Sequence, residues 1–443
     1  MPKSFTFPSL HDPIAVLGLG YVGLPLLIEI LMVSRGRRVV GFDTSASKIW
    51  YLMNSKSLIE YGYRDAIMSY AGSNQLKLSS DPQSIASCFI YVVAVPTPVN
   101  KSNAPDLECL NEATRIIFAS NGLKAVPNDK IIIYESTVYP GATRDVFESV
   151  AKGYQQLQHN FRIGYSPERI NPGDTQHRLT NIVKVTSGQN SETADWIDNF
   201  YKLICKAGTY KASSIEVAEA CKSFENTQRD LNIALVNELA LICSRLNINT
   251  NDVLKAASTK WNFMPFKPGL VGGHCIGVDP YYLAYKARQL GIDPKLILAG
   301  RSVNDGMAGW ISRKAVKMMV SVFHTKVNLN CLIMGVTYKE DCEDTRNSKS
   351  LEVAEGLKSY GIQVTLTDPI FDQPRFALTF REWNCLTLSE ALDKTYNCII
   401  ISVAHSVYVK VATKKYIKSL KTNGFIYDLK DVINDYCPEV VKL

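Results

Sequence analysis

The sequence predicts an α/β protein: two parallel-sheet regions joined by a helical middle that contains one long helix. Three observations predict it. Short, continuously apolar runs alternate with helical segments in the first half of the 443 residues. A long stretch without proline or glycine follows residue 213. The strand–helix alternation then restarts near residue 331. A chain of this length exceeds one ordinary core, and the expected divisions are 1–208, 209–310 and 311–443.

IAVLGLGYVG (14–23) reads as a strand that ends in a glycine turn. A helix follows, with Pro25 in its first turn, where a missing N–H does no harm. RVVGFD (38–43), FIYVVAVP (89–96), KIIIYES (130–136) and NIVKVTS (181–187) read as further strands. Strands that are apolar throughout belong to a parallel sheet covered on both faces. Ser213-Ser214-Ile215-Glu216 has the spacing of a capping box. Beyond it, Val217, Ala220, Cys221, Phe224, Leu231, Leu235, Leu239 and Ile242 recur at helical spacing, and the helix runs to about Leu246. About 30 residues at 1.5 Å each give about 45 Å of helix, which can join two domains or offer a dimer face. CLIMGVTY (331–338), QVTLTDP (363–369), NCIIISVAH (397–405) and GFIYDL (424–429) supply a second set of strands.

Composition excludes several classes. The hydrophobic fraction of 46% and charged fraction of 21% are those of an ordinary globular protein. Net charge is +7 with no basic stripe, which argues against nucleic acid and suits a phosphorylated small substrate. Eleven cysteines include no Cys-x-x-Cys pair, which disfavours disulfides and structural zinc; no metal is expected, and a reducing cytoplasm fits. The N-terminus lacks an apolar signal core. The most apolar run, LPLLIEILMV, contains Glu29 and falls short of the ~20 residues a bilayer requires, so no membrane partner is expected.

Gly18-Leu19-Gly20-Tyr21-Val22-Gly23 is G-x-G-x-x-G between a predicted strand and helix, and Asp43 lies 20 residues beyond Gly23. Together these form a dinucleotide-binding fingerprint, and the restarted strand–helix pattern reads as a second nucleotide-type fold, so both sheet regions are expected to be Rossmann-like. Gly18 permits the tight turn, Gly20 a close approach to pyrophosphate, and Gly23 close helix packing. The helix N-terminus offers N–H groups to phosphate. Asp43 would accept hydrogen bonds from a ribose and repel a 2′-phosphate, which favours NAD over NADP.

GGHCIGVDP (272–280) surrounds Cys275 with turn-forming residues. A lone cysteine is ordinarily a small buried hydrophobe. Here Gly272 and Gly273 open the backbone to a close approach, while His274 is adjacent and Asp279 lies four residues on. A nucleophilic thiol also requires a group that stabilises its thiolate. Lys222 is a candidate, with Asn226 one turn later on the same helix face, although a helical lysine is ordinarily solvated.

Several segments give the chain a resemblance to the UDP-glucose/GDP-mannose dehydrogenase family. They are LGLGYVGLPL, VAVPTPV (93–99), YESTVYPGAT (134–143), GYSPERINPGD (164–174), EVAEACKSFENTQRDLNIALVNELA (216–240), KWNFMPFKPGLVGGHCIGVDPYYLAYKA (260–287) and GVTYKEDCEDTRNS (335–348). GGHCIGVDPYY is similar to the branch that oxidises UDP-N-acetylglucosamine or UDP-N-acetylgalactosamine for bacterial capsule and O-antigen synthesis. SLIEYGYRDAI (57–67) and an N-terminal extension of about a dozen residues depart from the pattern.

The resemblance implies four-electron oxidation of a sugar C6 alcohol to a carboxylate, with two NAD reduced per sugar. Lys222 and Asn226 would hold the C6 oxygen, and Cys275 would form a thiohemiacetal and then a thioester. Glu168 would assist thioester hydrolysis, with Asp279 and Thr137 ordering water. Pro96, Thr97, Thr137 and, from the last domain, Arg346 would join Gly18, Gly20, Tyr21, Val22, Gly23 and Asp43 at NAD. Glu168, Arg169, Lys222, Asn226, Phe266, Lys267, Gly272, Gly273, Tyr338 and Lys339 would hold the UDP-sugar. Lys260 and Arg301 are further candidates that read equally as surface charges, as Thr137 reads as a strand-end cap and Asp279 as a turn cap before Pro280. A homodimer or higher homo-oligomer is implied. The alternatives are the same chemistry on UDP-glucose or UDP-N-acetylmannosamine, a two-electron β-hydroxyacid dehydrogenase, and a non-catalytic NAD-sensing protein.

Overall fold

A computed structural model describes residues 5–33, 36–54, 63–70, 72–100, 102–121, 129–170, 178–325, 327–372, 376, 379–433, 435 and 437–443. Residues 57–62 of the divergent segment and 171–174 of the SPERINPGD motif therefore lie outside the described residues. By packing, the chain divides into two compact units, Met1–Glu225 with Tyr281–Ile292, and Asn226–Pro280 with Asp293–Leu443.

The first unit is built on β1 (Ile14–Leu17), β2 (Val39–Phe42), β3 (Leu76–Ser79), β4 (Ile90–Val93), β5 (Lys130–Tyr134), β6 (Phe161–Tyr165), β7 (Lys184–Gly188) and β8 (Thr209–Lys211). Their order is β3-β2-β1-β4-β5-β6-β7-β8. Every pairing is parallel except β6 with β7, where Gly164 faces Gly188 across an antiparallel step. The helices are α1 (Gly23–Val33), α2 (Ala46–Asn54), α3 (Tyr63–Tyr70), α4 (Glu108–Ser120), α5 (Ala142–Ala151) and α6 (Ser191–Lys202). One face of the central strands packs Ile14, Val16, Ile90, Val92, Ile131 and Ile133 against Leu26, Leu27 and Ile30 of α1 and Ile197 and Phe200 of α6. Hydrophobic burial of this kind holds the layers together.

The long helix α7 (Ile215–Leu246) has 32 residues. Its N-cap is Ser214, whose Oγ accepts from Val217 N–H at 3.2 Å. This corrects the capping box read at Ser213 by one residue. Ile215 is fully buried as the first helical residue, so the cap falls at Ser214 and Glu216 is free to accept from Arg144 Nε at 2.5 Å. The apolar residues that predict the helix largely face outward: Val217, Phe224, Leu235 and Ile242 are 46–66% exposed. The buried seam is instead mostly small and polar, with Ala218, Glu219, Ser223, Asn226, Thr227, Asp230, Ala234, Asn237 and Ala240, and Val236 and Cys243 as apolar exceptions.

Then come α8 (Thr250–Ala257), α9 (Asp279–Gln289) and α10 (Lys295–Phe323). The boundary expected between 310 and 311 falls inside α10. The second sheet comprises β9 (Asn330–Met334), β10 (Gln363–Thr367), β11 (Asn384–Leu386), β12 (Tyr396–Ile401), β13 (Leu420–Asp428) and β14 (Val440–Lys442), with α11 (Lys349–Ser359) after β9. Its order is β11-β10-β9-β12-β13-β14, parallel throughout. Strand alternation sends Cys331, Ile333, Cys398 and Ile400 to the face covered by Met307, Ile311, Ala315 and Met319 of α10. Leu332, Met334, Ile399 and Ile401 point to the other face, against Tyr408 and Tyr416.

Candidate active site

In the first unit, the glycine turn after β1 has the shape a dinucleotide requires. Gly18 adopts φ +90°, and a Cβ there would lie 2.6 Å from Ala94 O. A Cβ on Gly23 would sit 1.9 Å from Gly18 O, so only glycine lets α1 start this close to the strand. Nothing lies within 4 Å of a Cβ placed on Gly20, which leaves that backbone open to a phosphate. Tyr21 is exposed and Val22 half-buried beside it. Asp43 follows β2; its Oδ2 accepts from Leu19 N–H at 3.0 Å and its Oδ1 from Ser45 N–H at 3.0 Å. Lys48 Nζ approaches the same Oδ2 at 2.7 Å, a partner that reading the sequence missed. These residues fit NAD.

Thr97 Oγ1 donates to Thr137 O at 2.7 Å, which joins two of the predicted cofactor residues beyond the C-terminal ends of β4 and β5; Pro96 is exposed beside them. Glu168, after β6, is buried. Its Oε1 accepts from the N–H groups of Arg169 (2.7 Å) and Ile170 (2.5 Å), and Lys184 Nζ lies 3.5 Å from its Oε2. Arg169 forks onto Glu225, with Nη2–Oε1 at 2.6 Å and Nε–Oε2 at 3.3 Å. On α7, Glu219 accepts from Gly141 N–H at 2.5 Å and Thr143 N–H at 2.8 Å at the start of α5. Burial pushes the Glu219 carboxyl up to about 7. Ser223 Oγ donates to Val138 O at 3.0 Å. Lys222, half-buried, sits between these two anchors.

In the second unit, Cys275 is exposed. Its carbonyl accepts from Val278 N–H at 3.0 Å and Asp279 N–H at 2.8 Å, which turns the chain into α9. Asp279 Oδ2 accepts from Asn226 Nδ2 at 2.5 Å. Cys275, Asp279 and Asn226 are thereby brought together. Arg229 Nη1 donates to Asn226 Oδ1 at 3.2 Å.

The two glycines before Cys275 meet protein. A Cβ on Gly272 would lie 2.5 Å from Asn347 O, and one on Gly273, at φ +82°, 2.6 Å from the Tyr338 ring. Asn347 Nδ2 donates to Gly273 O at 3.2 Å. The close approach that the sequence signals is thus made by the 336–348 loop. His274 joins the same contact: its Nε2 lies 2.9 Å from Asp344 Oδ2, and Arg346 forks onto Asp344 at 3.0 and 2.7 Å. Burial acts to raise the Asp344 carboxyl, but His274 and Arg346 outweigh it and hold it well below the usual range. Lys339 is half-buried, with its Nζ 5.7 Å from the Tyr338 ring centroid.

Arg301 is 3% exposed on α10 rather than a surface charge. It pairs with Asp230 at 2.7 Å and with Asp305, and its guanidinium lies 3.7 Å from a Cβ placed on Gly277. Phe266 is half-buried, while Lys260 and Lys267 are exposed. The sequence reading also missed Lys430, after β13, whose Nζ lies 3.5 Å from a Cβ placed on Gly269. Among the described residues no cluster of His, Cys, Asp or Glu could hold a metal ion.

Three domain descriptions match the chain. They are the UDP-glucose/GDP-mannose dehydrogenase family NAD binding domain at residues 12–205, its central domain at 216–306 and its UDP binding domain at 332–435. The UDP-N-acetyl-D-glucosamine 6-dehydrogenase of Salmonella typhi is 44% identical over 423 residues, covering 95% of this chain and 96% of that protein. The Pseudomonas aeruginosa protein of the same name is 44% identical over 95% of this chain and 97% of its own length. Among solved structures, the UDP-D-ManNAc dehydrogenase of Pyrococcus horikoshii superposes with a TM-score of 0.83 at 25% identity, covering 97% of this chain and 98% of that one.

Proposed function

Because the chain belongs to the UDP-glucose/GDP-mannose dehydrogenase family, we propose that it oxidises the C6 alcohol of a UDP-N-acetylhexosamine, UDP-N-acetylglucosamine or its galacto epimer, to the uronate. The observation that carries the substrate is the 44% identity, over 95% of this chain, to two UDP-N-acetyl-D-glucosamine 6-dehydrogenases. The hydrogen-bonded set of Cys275, Asp279 and Asn226 supports the chemistry.

NAD, when bound, supplies the hydride acceptor for two rounds of oxidation. The turn at Gly18, Gly20 and Gly23 and the carboxylate of Asp43 hold it, with Tyr21, Val22, Pro96, Thr97, Thr137 and Arg346 as further contacts. Lys222 and Asn226 hold the C6 oxygen, and the Lys222 ammonium stabilises charge that develops there. Cys275 Sγ adds to the aldehyde carbon and keeps it covalently bound as a thiohemiacetal, which loses the second hydride to become a thioester. Water then forms the new C–O bond while Glu168 takes one of its protons; the C–S bond breaks, Sγ leaves with the electron pair, and the acid sheds its remaining proton to solvent. Asp279 and Thr137 order that water. Arg169, Phe266, Lys267, Tyr338 and Lys339 form the nucleotide-sugar contacts in this reading, with Gly272 and Gly273 seating the 336–348 loop beside them, Lys260 at the edge and Arg301 bracing the Cys275 loop.

Labour divides among 1–208 for NAD, 209–310 for the nucleophile and self-association, and 311–443 for the UDP moiety, a reading that the three domain matches support. The outward apolar stripe of α7 supports a homodimer or higher homo-oligomer. Cysteines that lie outside any disulfide suit the reducing cytoplasm. Among the described residues no helix is long and apolar enough to cross a membrane.

A panel of UDP-N-acetylglucosamine, UDP-N-acetylgalactosamine, UDP-N-acetylmannosamine and UDP-glucose with NAD tests the proposal. Two NADH per sugar are expected from an N-acetylhexosamine, and Cys275→Ser is expected to lose net uronate formation. One NADH per sugar, or full activity in that variant, refutes the covalent route. Preference for UDP-N-acetylmannosamine would shift the substrate toward that named for the Pyrococcus horikoshii relative.

A further inference from the structure

Behind Glu168 lies a buried charge cluster that the steps above do not use. Lys184, in β7, is fully enclosed. Its Nζ lies 2.8 Å from Glu135 Oε2 and 3.5 Å from Glu168 Oε2. Glu135, just past β5, is 1% exposed and also accepts from the Tyr201 hydroxyl of α6. The Lys184 ammonium sits 5.2 Å from the Tyr201 ring centroid. Cys205, just past α6, also faces the cluster, with Glu29 of α1 beyond it. The cluster therefore holds one cation against two carboxylates.

We propose that Lys184 and Glu135 are positioning residues that set the charge and aim of Glu168 for thioester hydrolysis, an inference that rests on Glu168 acting as the base. The geometry gives Glu168 two different oxygens. Oε1 is fixed by two backbone N–H groups, and Oε2 is held toward Lys184. A carboxylate clamped on one oxygen swings little, so its second oxygen has a fixed direction. An ammonium 3.5 Å from Oε2 stabilises negative charge on that oxygen, and Glu135, at 2.8 Å, competes for the same cation. Burial pushes the Glu135 carboxyl up despite Lys184, and the Glu168 charge adds to that rise. Burial alone would push Lys184 down, but Glu135 and then Glu168 more than offset it and hold it protonated. Lys184 thus links the two buried carboxylates through one ammonium.

Substitutions on the two sides of the cation should move the reaction in opposite directions. Glu135→Gln leaves Lys184 to Glu168 alone, and the acidic limb of the kcat profile is expected at lower pH. Lys184→Met with Glu135→Gln removes the cation without stranding a buried carboxylate at position 135, which protects the fold. With the best sugar nucleotide of the panel, this double variant is expected to give a normal burst of two NADH per subunit. Its steady-state kcat should be roughly 10- to 100-fold lower, with the acidic limb at higher pH and a Cys275 acyl adduct visible by intact mass. Limbs that move together, or a folded double variant with parental kcat and no adduct, overturn the inference. Glu168→Gln separates it from the reading beneath it. If that variant stalls with adduct while the Lys184 double variant does not, only the role of Lys184 falls. If Glu168→Gln releases uronate at the parental rate, both fall.

Discussion

The first and second sheets share a strand order around their opening strands, β3-β2-β1-β4-β5 against β11-β10-β9-β12-β13, yet place different chemistry at the end of that strand. Each opening strand ends in a left-handed glycine, Gly18 at φ +90° and Gly335 at φ +93°. Each neighbouring strand ends in an aspartate that braces the turn, Asp43 through Leu19 N–H at 3.0 Å and Asp368 through Val336 N–H at 2.6 Å. In the first sheet the helix starts at once, at Gly23, and leaves bare N–H groups for phosphate. In the second the helix waits until Lys349, and the intervening loop carries Tyr338, Asp344, Arg346 and Asn347 to the glycines before Cys275. Asp368 is closed off as well, because His405 Nε2 lies 3.1 Å from the oxygen that also accepts from Thr337 N–H at 3.3 Å. His405 Nδ1 accepts from Asp341 N–H at 3.1 Å, which leaves the Nε2 proton for Asp368. Bracing a turn therefore does not by itself leave a carboxylate open to a ligand.

The strongest way to break this comparison is at the glycines. Gly23→Val should force α1 away from Gly18 O and abolish measurable NAD binding by calorimetry. Gly335→Ala, whose Cβ would lie 2.4 Å from Val403 Cβ, should cost about 1–3 kcal/mol in urea unfolding and leave NAD affinity intact. The aspartates should diverge in the same sense. Asp43→Ala should weaken NAD about tenfold and narrow its preference over NADP, since Lys48 remains to meet a 2′-phosphate. Asp368→Ala strands three backbone N–H groups and His405, so its loss should register in stability, about 1–3 kcal/mol, rather than in cofactor affinity.

The smallest effects are expected from pH. Burial lowers Lys130, at the start of β5, to about 8 from 10.5. Between those values the unfolded chain binds more protons, so stability rises with pH across that window, and below about 8 the lysine is a burden. Lys130→Met should add about 1–2 kcal/mol at pH 7 and flatten that rise. Asp344 of the second unit is also lowered in the fold, so stability again rises with pH, but here the charged form is the stabilising one. Its depressed carboxyl contributes stability above about pH 4, lost as pH falls toward its folded value. His274→Ala should remove about 1 kcal/mol of this at neutral pH and shift acid unfolding upward. Unfolding curves at pH 2, 4, 7 and 10 check both.

The central strands are legible because β1, β4, β5 and β12 are buried on both faces and apolar except at Lys130 and Asn397. Five strands are not. β3 is half-exposed, β6 contains Arg162 and Gly164, and β8, β11 and β14 are short edges of three residues that lack a continuous apolar run. The glycine fingerprint and Asp43 could be read because turn geometry dictates residue type. Lys184 was passed over because a cation inside an apolar strand carries no spacing signal, although its presence there was itself a clue. Gly272 and Gly273 signalled a close approach correctly, but only the fold shows that Tyr338 and Asn347 are what approaches.

The polar seam of α7 acts as a rotational lock. An apolar stripe resting on apolar neighbours is non-directional and lets a helix roll by a few degrees at little cost. Glu219, bound to two N–H groups, and Ser223, bound to a carbonyl, fix the angular setting of the helix on both sides of Lys222. Replacing that seam with alanine or leucine would keep the helix and much of its stability, but would free the bearing on which the Lys222 ammonium points.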